Sequence, residues 1–118
     1  MALHSQLPIY KVAYELLALS IAMARNMPRD VKQPVGSALL AECVRITVLI
    51  FRANVAREKA PHLLEVVERV EVAELMIRLS RDLRFIGTKQ YADAIALTSQ
   101  IGKQANGWRR HSATSPAA

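Results

Sequence analysis

Cysteine, glycine and aromatic residues are all scarce in this 118-residue chain, which has one Cys, four Gly, one Trp, three Tyr and two Phe. The single thiol, Cys43, allows no internal disulfide, so the sequence gives an oxidising compartment no support. Inside an apolar arc, Cys43 reads as a small buried hydrophobe rather than a reactive nucleophile. No glycine-rich loop is available to cradle phosphates, and no repeat array or low-complexity linker interrupts the chain. The opening residues MALHSQLP lack the basic start and apolar run of a signal peptide. Charge-free segments such as Leu16 to Ala24 fall short of the ~18 residues that a membrane span needs. The expected location is therefore the cytoplasm, with no membrane partner.

Catalytic constellations are missing too. Di-iron bundles place Glu-x-x-His pairs inward, but His4, His62 and His111 stand near one end, at a helix start and in the tail. None has a carboxylate three residues before it. One cysteine and scattered histidines give no metal-ligand spacing, and no nucleophile–base pair can be nominated. Glu65, Glu68, Glu71 and Glu74 read as solvated helix surface. The expectation is a protein with no catalytic residues, metal or cofactor.

What the chain does have is helix-forming residues, with 52% hydrophobic content and Ala, Leu, Val, Ile, Glu and Arg dominant. Four helical segments are expected in one domain spanning 1–118, with its core at about 8–110. The first follows Pro8 through IYKVAYELLALSIAMARN, turns Ile9, Val12, Ala13, Leu16, Leu17, Ser20, Met23 and Met27 inward, and is stopped by Pro28. The second, Val35 to Arg57, opens after Pro34. The third opens at Pro61, with glutamates early and Arg78, Arg81 and Arg84 late, an order that complements the helix dipole. Gly87 is expected to terminate it and Thr88 to cap the next. The fourth, Lys89 to Arg110, repeats Tyr91, Ile95, Thr98, Ile101, Ala105 and Trp108 at three- and four-residue steps. Trp108 reads as a core anchor at that spacing, the other reading being an exposed stacking platform for a base. The tail HSATSPAA has no periodicity and is expected to be disordered. Short loops between such helices make antiparallel neighbours, hence an all-α, up-down-up-down four-helix bundle.

The second helix organises the rest. Its apolar residues, from Leu39 and Leu40 through Cys43, Val44, Ile46, Val48, Ile50 and Phe51 to Val55, cover roughly 200° of its circumference, about twice the stripe that a core-facing helix needs. The surplus makes the helix either a fully wrapped central helix or, the expectation taken here, also a subunit contact, through Val44, Val48, Phe51 and Val55.

Net charge is +6 with a pI near 10.0, which suits a polyanionic partner. One end of the expected bundle gathers seven cations, Arg25, Arg29, Lys32, Arg78, Arg81, Arg84 and Lys89, against Asp30, Asp82 and Asp93. The other end has a similar excess among five glutamates, so the polarity is slight. The first end is the candidate nucleic-acid surface, and Arg78, Arg81 and Arg84, at successive turns, are expected to follow a phosphate backbone. A solvated, salt-bridged surface is the plain alternative for each arginine taken singly.

In order and spacing, LPIYKVAYELLALSIAM, NMPRDVKQPVG, IFRANVAREKAPHLLE, MIRLSRDL, TKQYA and IGKQANGWRR resemble one family of four-helix bundles. That family contains the accessory variability determinant proteins of diversity-generating retroelements and the proteins encoded by intervening sequences of bacterial 23S rRNA genes. The resemblance runs from about Leu7 to Arg110. It implies a homopentameric barrel of four-helix bundles with a basic surface. It also implies a non-catalytic accessory role, with a retroelement reverse transcriptase and its template RNA or cDNA as partners, in mutagenic retrohoming. The alternative is a structural or interaction bundle of the intervening-sequence type.

Overall fold

The computed structural model describes residue 3 and residues 6–114, of which 113 and 114 are described by backbone alone. His4 and residues 115–118 of the expected disordered tail lie outside the described residues. Among the described residues the chain is all-helical, with four long helices and no strand. They are α1 (Pro8–Arg25), α3 (Ser37–Val55), α4 (Ala60–Asp82) and α5 (Thr88–Thr114), with a short α2 (Arg29–Val31) before α3. The chain measures 51 × 20 × 18 Å, the proportions of helices lying side by side.

Around the bundle, α1 lies against α3 and α5, and α4 lies against the same two helices. Each long helix therefore has two close neighbours and one outward side. The core runs through all four and includes Leu16 and Met23 of α1, Leu39, Ile46 and Ile50 of α3, Val66 and Ile77 of α4, and Ile101 of α5. On α1 the inward face is as the periodicity predicts, except that Val12 and Leu17 are only half-buried. On α5 it is Ala94, with Thr98, Ile101 and Ala105, that is fully buried, while Tyr91, Ile95 and Trp108 are half-buried.

Three buried hydroxyls need partners in this dry interior. Each bonds back to its own helix. Ser20 donates to the Leu17 carbonyl at 2.7 Å, Ser80 to Met76 at 2.8 Å and Thr98 to Ile95 at 3.1 Å. None requires a water or a cross-helix partner.

Two ion pairs lock α3 to α4. Arg69 donates to Glu42 at 3.0 Å and Arg45 to Glu65 at 2.9 Å. The first is the drier, with side chains 32% and 19% exposed, and is the less screened by solvent. The neighbouring guanidinium of Arg45 holds Glu65 below the usual carboxylate range. The corner beyond the seam is held by Lys59. Its ammonium donates to the carbonyls of Ala53, Asn54 and Ala56 at 2.9, 3.1 and 2.9 Å. Those carbonyls are the unsatisfied C-terminal acceptors of α3, where no glycine is available to cap.

The helix boundaries differ from the sequence expectation at both ends of α3 and at the end of α4. Pro34 does not open the second helix. It lies within a π turn, Lys32–Gly36, through which α2 runs on into α3. The Ser37 N–H bonds to the carbonyl five residues back, on Lys32. Pro34 has no N–H to give, and its ring crowds the carbonyl four residues behind, so the wider register accommodates it. Gly36 then passes close to α1: a Cβ there would stand 3.0 Å from that of Ala24. The far end of α3 falls at Val55, before Arg57, because Ala56 is extended. Contiguous helical backbone thus covers Arg29–Val55. By length and apolar content that run is long enough to cross a membrane, contrary to the expectation from charge-free segments. Only 33% of its most apolar window is buried, which is the surplus of apolar surface read from the sequence.

Gly87 does not terminate α4. The helix stops five residues earlier, with Arg84 in the left-handed region at φ 63°. The Phe85 N–H bonds to the Ser80 carbonyl at 2.7 Å and the Arg84 N–H to Arg81 at 3.0 Å, the paired bonds of a Schellman ending. Nor does Thr88 cap α5. It is the first helical residue, and Gly87 supplies the carbonyl that accepts from Tyr91 at 3.0 Å. At its other end α5 continues past Arg110 to Thr114, through residues placed in the tail by the sequence reading. Arginine at a left-handed position is strained by its Cβ where glycine is not. Arg84→Gly is therefore expected to raise stability by about 0.5–1 kcal/mol, seen as a higher urea midpoint with an unchanged slope. An unchanged or lower midpoint would refute the strain.

Candidate functional site

Surface chemistry on this bundle collects in two places, and the first is the outward side of α3. Val44, Val48, Phe51 and Val55 are 43%, 36%, 43% and 51% exposed. Their steps of four, three and four residues keep them within about 60° of one another on a helix. They form one apolar stripe about 17 Å long by helical rise. The core-facing residues Leu39, Cys43, Ile46, Ile50 and Ala53 occupy the opposite side. The four residues expected to make a subunit contact thus form a single exposed face. Beside that face lies Arg52, exposed, and next to it Arg45, which is tied to Glu65.

The second place is the set of cations expected to meet nucleic acid. The structure separates them into two groups. Arg25, Arg29 and Lys32 line the turn from α1 to the π segment, which the tight Gly36–Ala24 approach holds against the end of α1. All three are exposed, and among the described residues none is in an ion pair. Arg78, Arg81, Arg84 and Lys89 belong to the corner between α4 and α5. There only Arg78 and Arg84 are exposed with no ion pair among the described residues. Lys89 is paired with Asp93 at 3.1 Å.

Arg81 is the most constrained of the seven. Its guanidinium donates twice to one oxygen of Asp82, at 3.1 and 2.8 Å, and lies 4.1 Å from the centre of the Tyr91 ring. The Asp82 carboxylate raises its already high pKa. This cation fastens α4 to α5, with two of its five N–H donors taken by Asp82. The expected three-step stripe of Arg78, Arg81 and Arg84 is also broken, because the helix ends at Asp82 and Arg84 sits on the left-handed turn.

A family model described as bAvd-like matches residues 8–112, nearly the whole chain. The chain belongs to the bAvd-like family. The curated proteins and the solved structures gave no match. Membership agrees with the resemblance carried by the motifs from Leu7 to Arg110. It makes the chain an accessory protein of retroelements, in a family of accessory, non-catalytic type.

Within this bAvd-like chain, two residues behave differently from the sequence reading. Trp108 is neither a fully buried anchor nor a free stacking platform. It is half-buried and lines a shallow cleft of about 220 Å³ with Leu7, Pro8, Ile9 and Gln104. The Lys59 ammonium stands 5.9 Å from its ring centre, so one lysine joins the end of α3 to α5. Lys59 was invisible to sequence reasoning, since nothing in REKAP marks the lysine as a cap.

Cys43 is 1% exposed, and burial pushes its thiol up to about 11, with a smaller opposing effect from the Ser20 hydroxyl. Protonation therefore favours the folded chain over the range in which an exposed thiol has already ionised. Stability from this group is complete below the unfolded pKa near 9 and is lost as pH rises to about 11, on the order of 2 kcal/mol. The native thiol is expected to resist alkylation at pH 8 and to react on unfolding. Cys43→Ala should remove this part of the loss of stability between pH 9 and 11, measured by denaturation at each pH. Rapid labelling of the native chain would contradict the assignment.

Proposed function

We propose that this protein is the non-catalytic accessory subunit of a diversity-generating retroelement. It acts in the cytoplasm as an assembly of several copies, binding the reverse transcriptase and its template RNA or cDNA during mutagenic retrohoming. The observation that carries this reading is the bAvd-like match over residues 8–112 in a chain of net charge +6. In this reading the bundle is threaded up-down-up-down and five copies close a barrel. The reversed order of the α3–α4 ion pairs, Glu42 with Arg69 and Arg45 with Glu65, supports the threading. The exposed α3 stripe supports the assembly.

Contact with RNA would run through phosphates. A rigid helical surface presents cations at fixed spacing but does not splay bases for edge readout. Arg25, Arg29, Lys32, Arg78 and Arg84 are the cations available for it, with Arg81 and Lys89 already engaged by carboxylates. Repetition around a ring turns weak contacts into one strong site through effective concentration.

The test is the salt dependence of binding to structured RNA. Replacing Arg25, Arg29 and Lys32 by Ala is expected to flatten the plot of log affinity against log salt by about 0.7–0.9 for each phosphate no longer neutralised. Helix content and assembly mass should be unchanged. Arg81→Ala should instead loosen the α4–α5 corner and leave the slope nearly as it was. An unchanged slope in the triple variant would mean that these side chains are ordinary solvated surface.

A further inference from the structure

The turn from α1 to α3 carries Arg25, Arg29 and Lys32, yet residues without charge give it its shape. We infer that Gly36 is a positioning residue for polyanion contact. Its missing side chain lets the turn that bears Arg29 and Lys32 lie against α1 beside Arg25. The inference rests on the phosphate contact proposed above and says what aims it.

The wide turn decides which way the cations face. Lys32 stands 18 residues before Ile50, about five turns of an uninterrupted α-helix. In that register it would fall on the line of Ile50, which is fully buried. The π turn Lys32–Gly36 holds one residue more than an α turn and so rotates everything ahead of it by about 100°. Val31 takes the inward line instead and packs half-buried on the core, while Lys32 is exposed. Arg29 and Lys32, three residues apart, share a sector of about 60°. Asp30, exposed on the same turn, falls about 100° from Arg29 and about 160° from Lys32. It lies off the side that the two cations share.

Contact with α1 decides where the turn sits. Gly36 is buried, and a Cβ there would stand 3.0 Å from the Cβ of Ala24 and 3.5 Å from the Sδ of Met27. At each of the other three glycines a Cβ would meet nothing within 4 Å. Ala24 has no torsion that could move its methyl aside, so room for a side chain at 36 must come from the backbone. Arg25 follows Ala24 directly. The connection between them and the turn is short and pinned. Met27 is buried, and the Val31 and Lys32 N–H groups both donate to the Pro28 carbonyl, at 3.1 and 3.0 Å. A turn pushed off Ala24 therefore carries Arg29 and Lys32 away from Arg25, and one phosphate backbone no longer meets all three.

The test keeps every cation. Gly36→Ala and Gly36→Val are expected to retain helix content and to flatten the plot of log affinity for a long-stemmed RNA hairpin against log salt. The loss of slope should grow from Ala to Val and reach about 0.7–0.9, one phosphate contact, in the second. Gly36→Ala combined with Ala24→Gly moves the methyl from α1 to the turn, where it meets the Cα of residue 24 at 3.5 Å, an ordinary contact. That exchange should give the slope of the unaltered chain at a lower urea midpoint, because glycine weakens α1. Slope recovered without stability separates positioning from packing. An unaltered slope in the folded single variants would overturn the inference. Were Gly36→Val to lose its fold, Gly36→Ala set against the exchange decides. If the triple variant of Arg25, Arg29 and Lys32 flattens the slope and the Gly36 variants do not, the turn stands as the site and Gly36 only packs. If the triple variant keeps its slope too, the phosphate contact itself fails.

Discussion

A helix with apolar side chains around most of its circumference meets a fixed limit in a four-helix bundle. Two close neighbours and the central core cover about half of it, and the remainder stays in water. α3 is such a helix. Its inner residues, Leu39, Cys43, Ile46, Ile50 and Ala53, supply the core against which α1 and α4 pack. Its outer residues repeat the same chemistry and stay between about a third and a half exposed. The bundle could have been stable with polar residues at Val44, Val48, Phe51 and Val55, as the polar outer positions of α5 show. Their apolar character is therefore not required by the fold of one copy, and it directs attention to assembly.

Periodicity exposed most of this in advance. The long helices, their approximate limits and the exposed stripe all follow from three- and four-residue spacing, which encodes burial directly. Backbone detail was less legible. Pro34 and Gly87 are the strongest punctuation signals in their regions, yet Pro34 is absorbed into a π turn and Gly87 stands beyond a helix already ended by Arg84. Such signals report what a residue permits, while the surroundings decide where the chain uses it. Arg84 takes the left-handed position because the chain leaving the buried Ser80 must turn back within a few residues to bury Ile86 in the core. The cost of its Cβ is small beside the burial thereby gained.

Charge was the least legible property. Counting cations gives their number but not which of them are spoken for. Arg81 is held by a carboxylate and a tyrosine ring, Lys89 by the carboxylate one turn on, and Lys59 by three carbonyls at the end of α3. The carboxylates are local, Asp82 adjacent and Asp93 four residues on, while the Tyr91 ring and the α3 carbonyls are brought close by packing and by a turn, none of which net charge reveals. Of the seven cations expected to meet nucleic acid, Arg25, Arg29, Lys32, Arg78 and Arg84 remain, near the ends of helices or on the turn that follows α4.

That placement bears on how assembly and polyanion contact would coexist. Lys32 lies twelve residues before Val44 along one continuous helical run, a separation of roughly 15–20 Å. The cations at the α1 turn are thus removed from the apolar stripe by more than the ~8 Å over which charges act in physiological salt. Charges bordering a copy seated on the stripe would be largely screened from them at that distance. The same helix can present an apolar length to another copy and a charged end to a polyanion, because the two chemistries occupy different stretches of it.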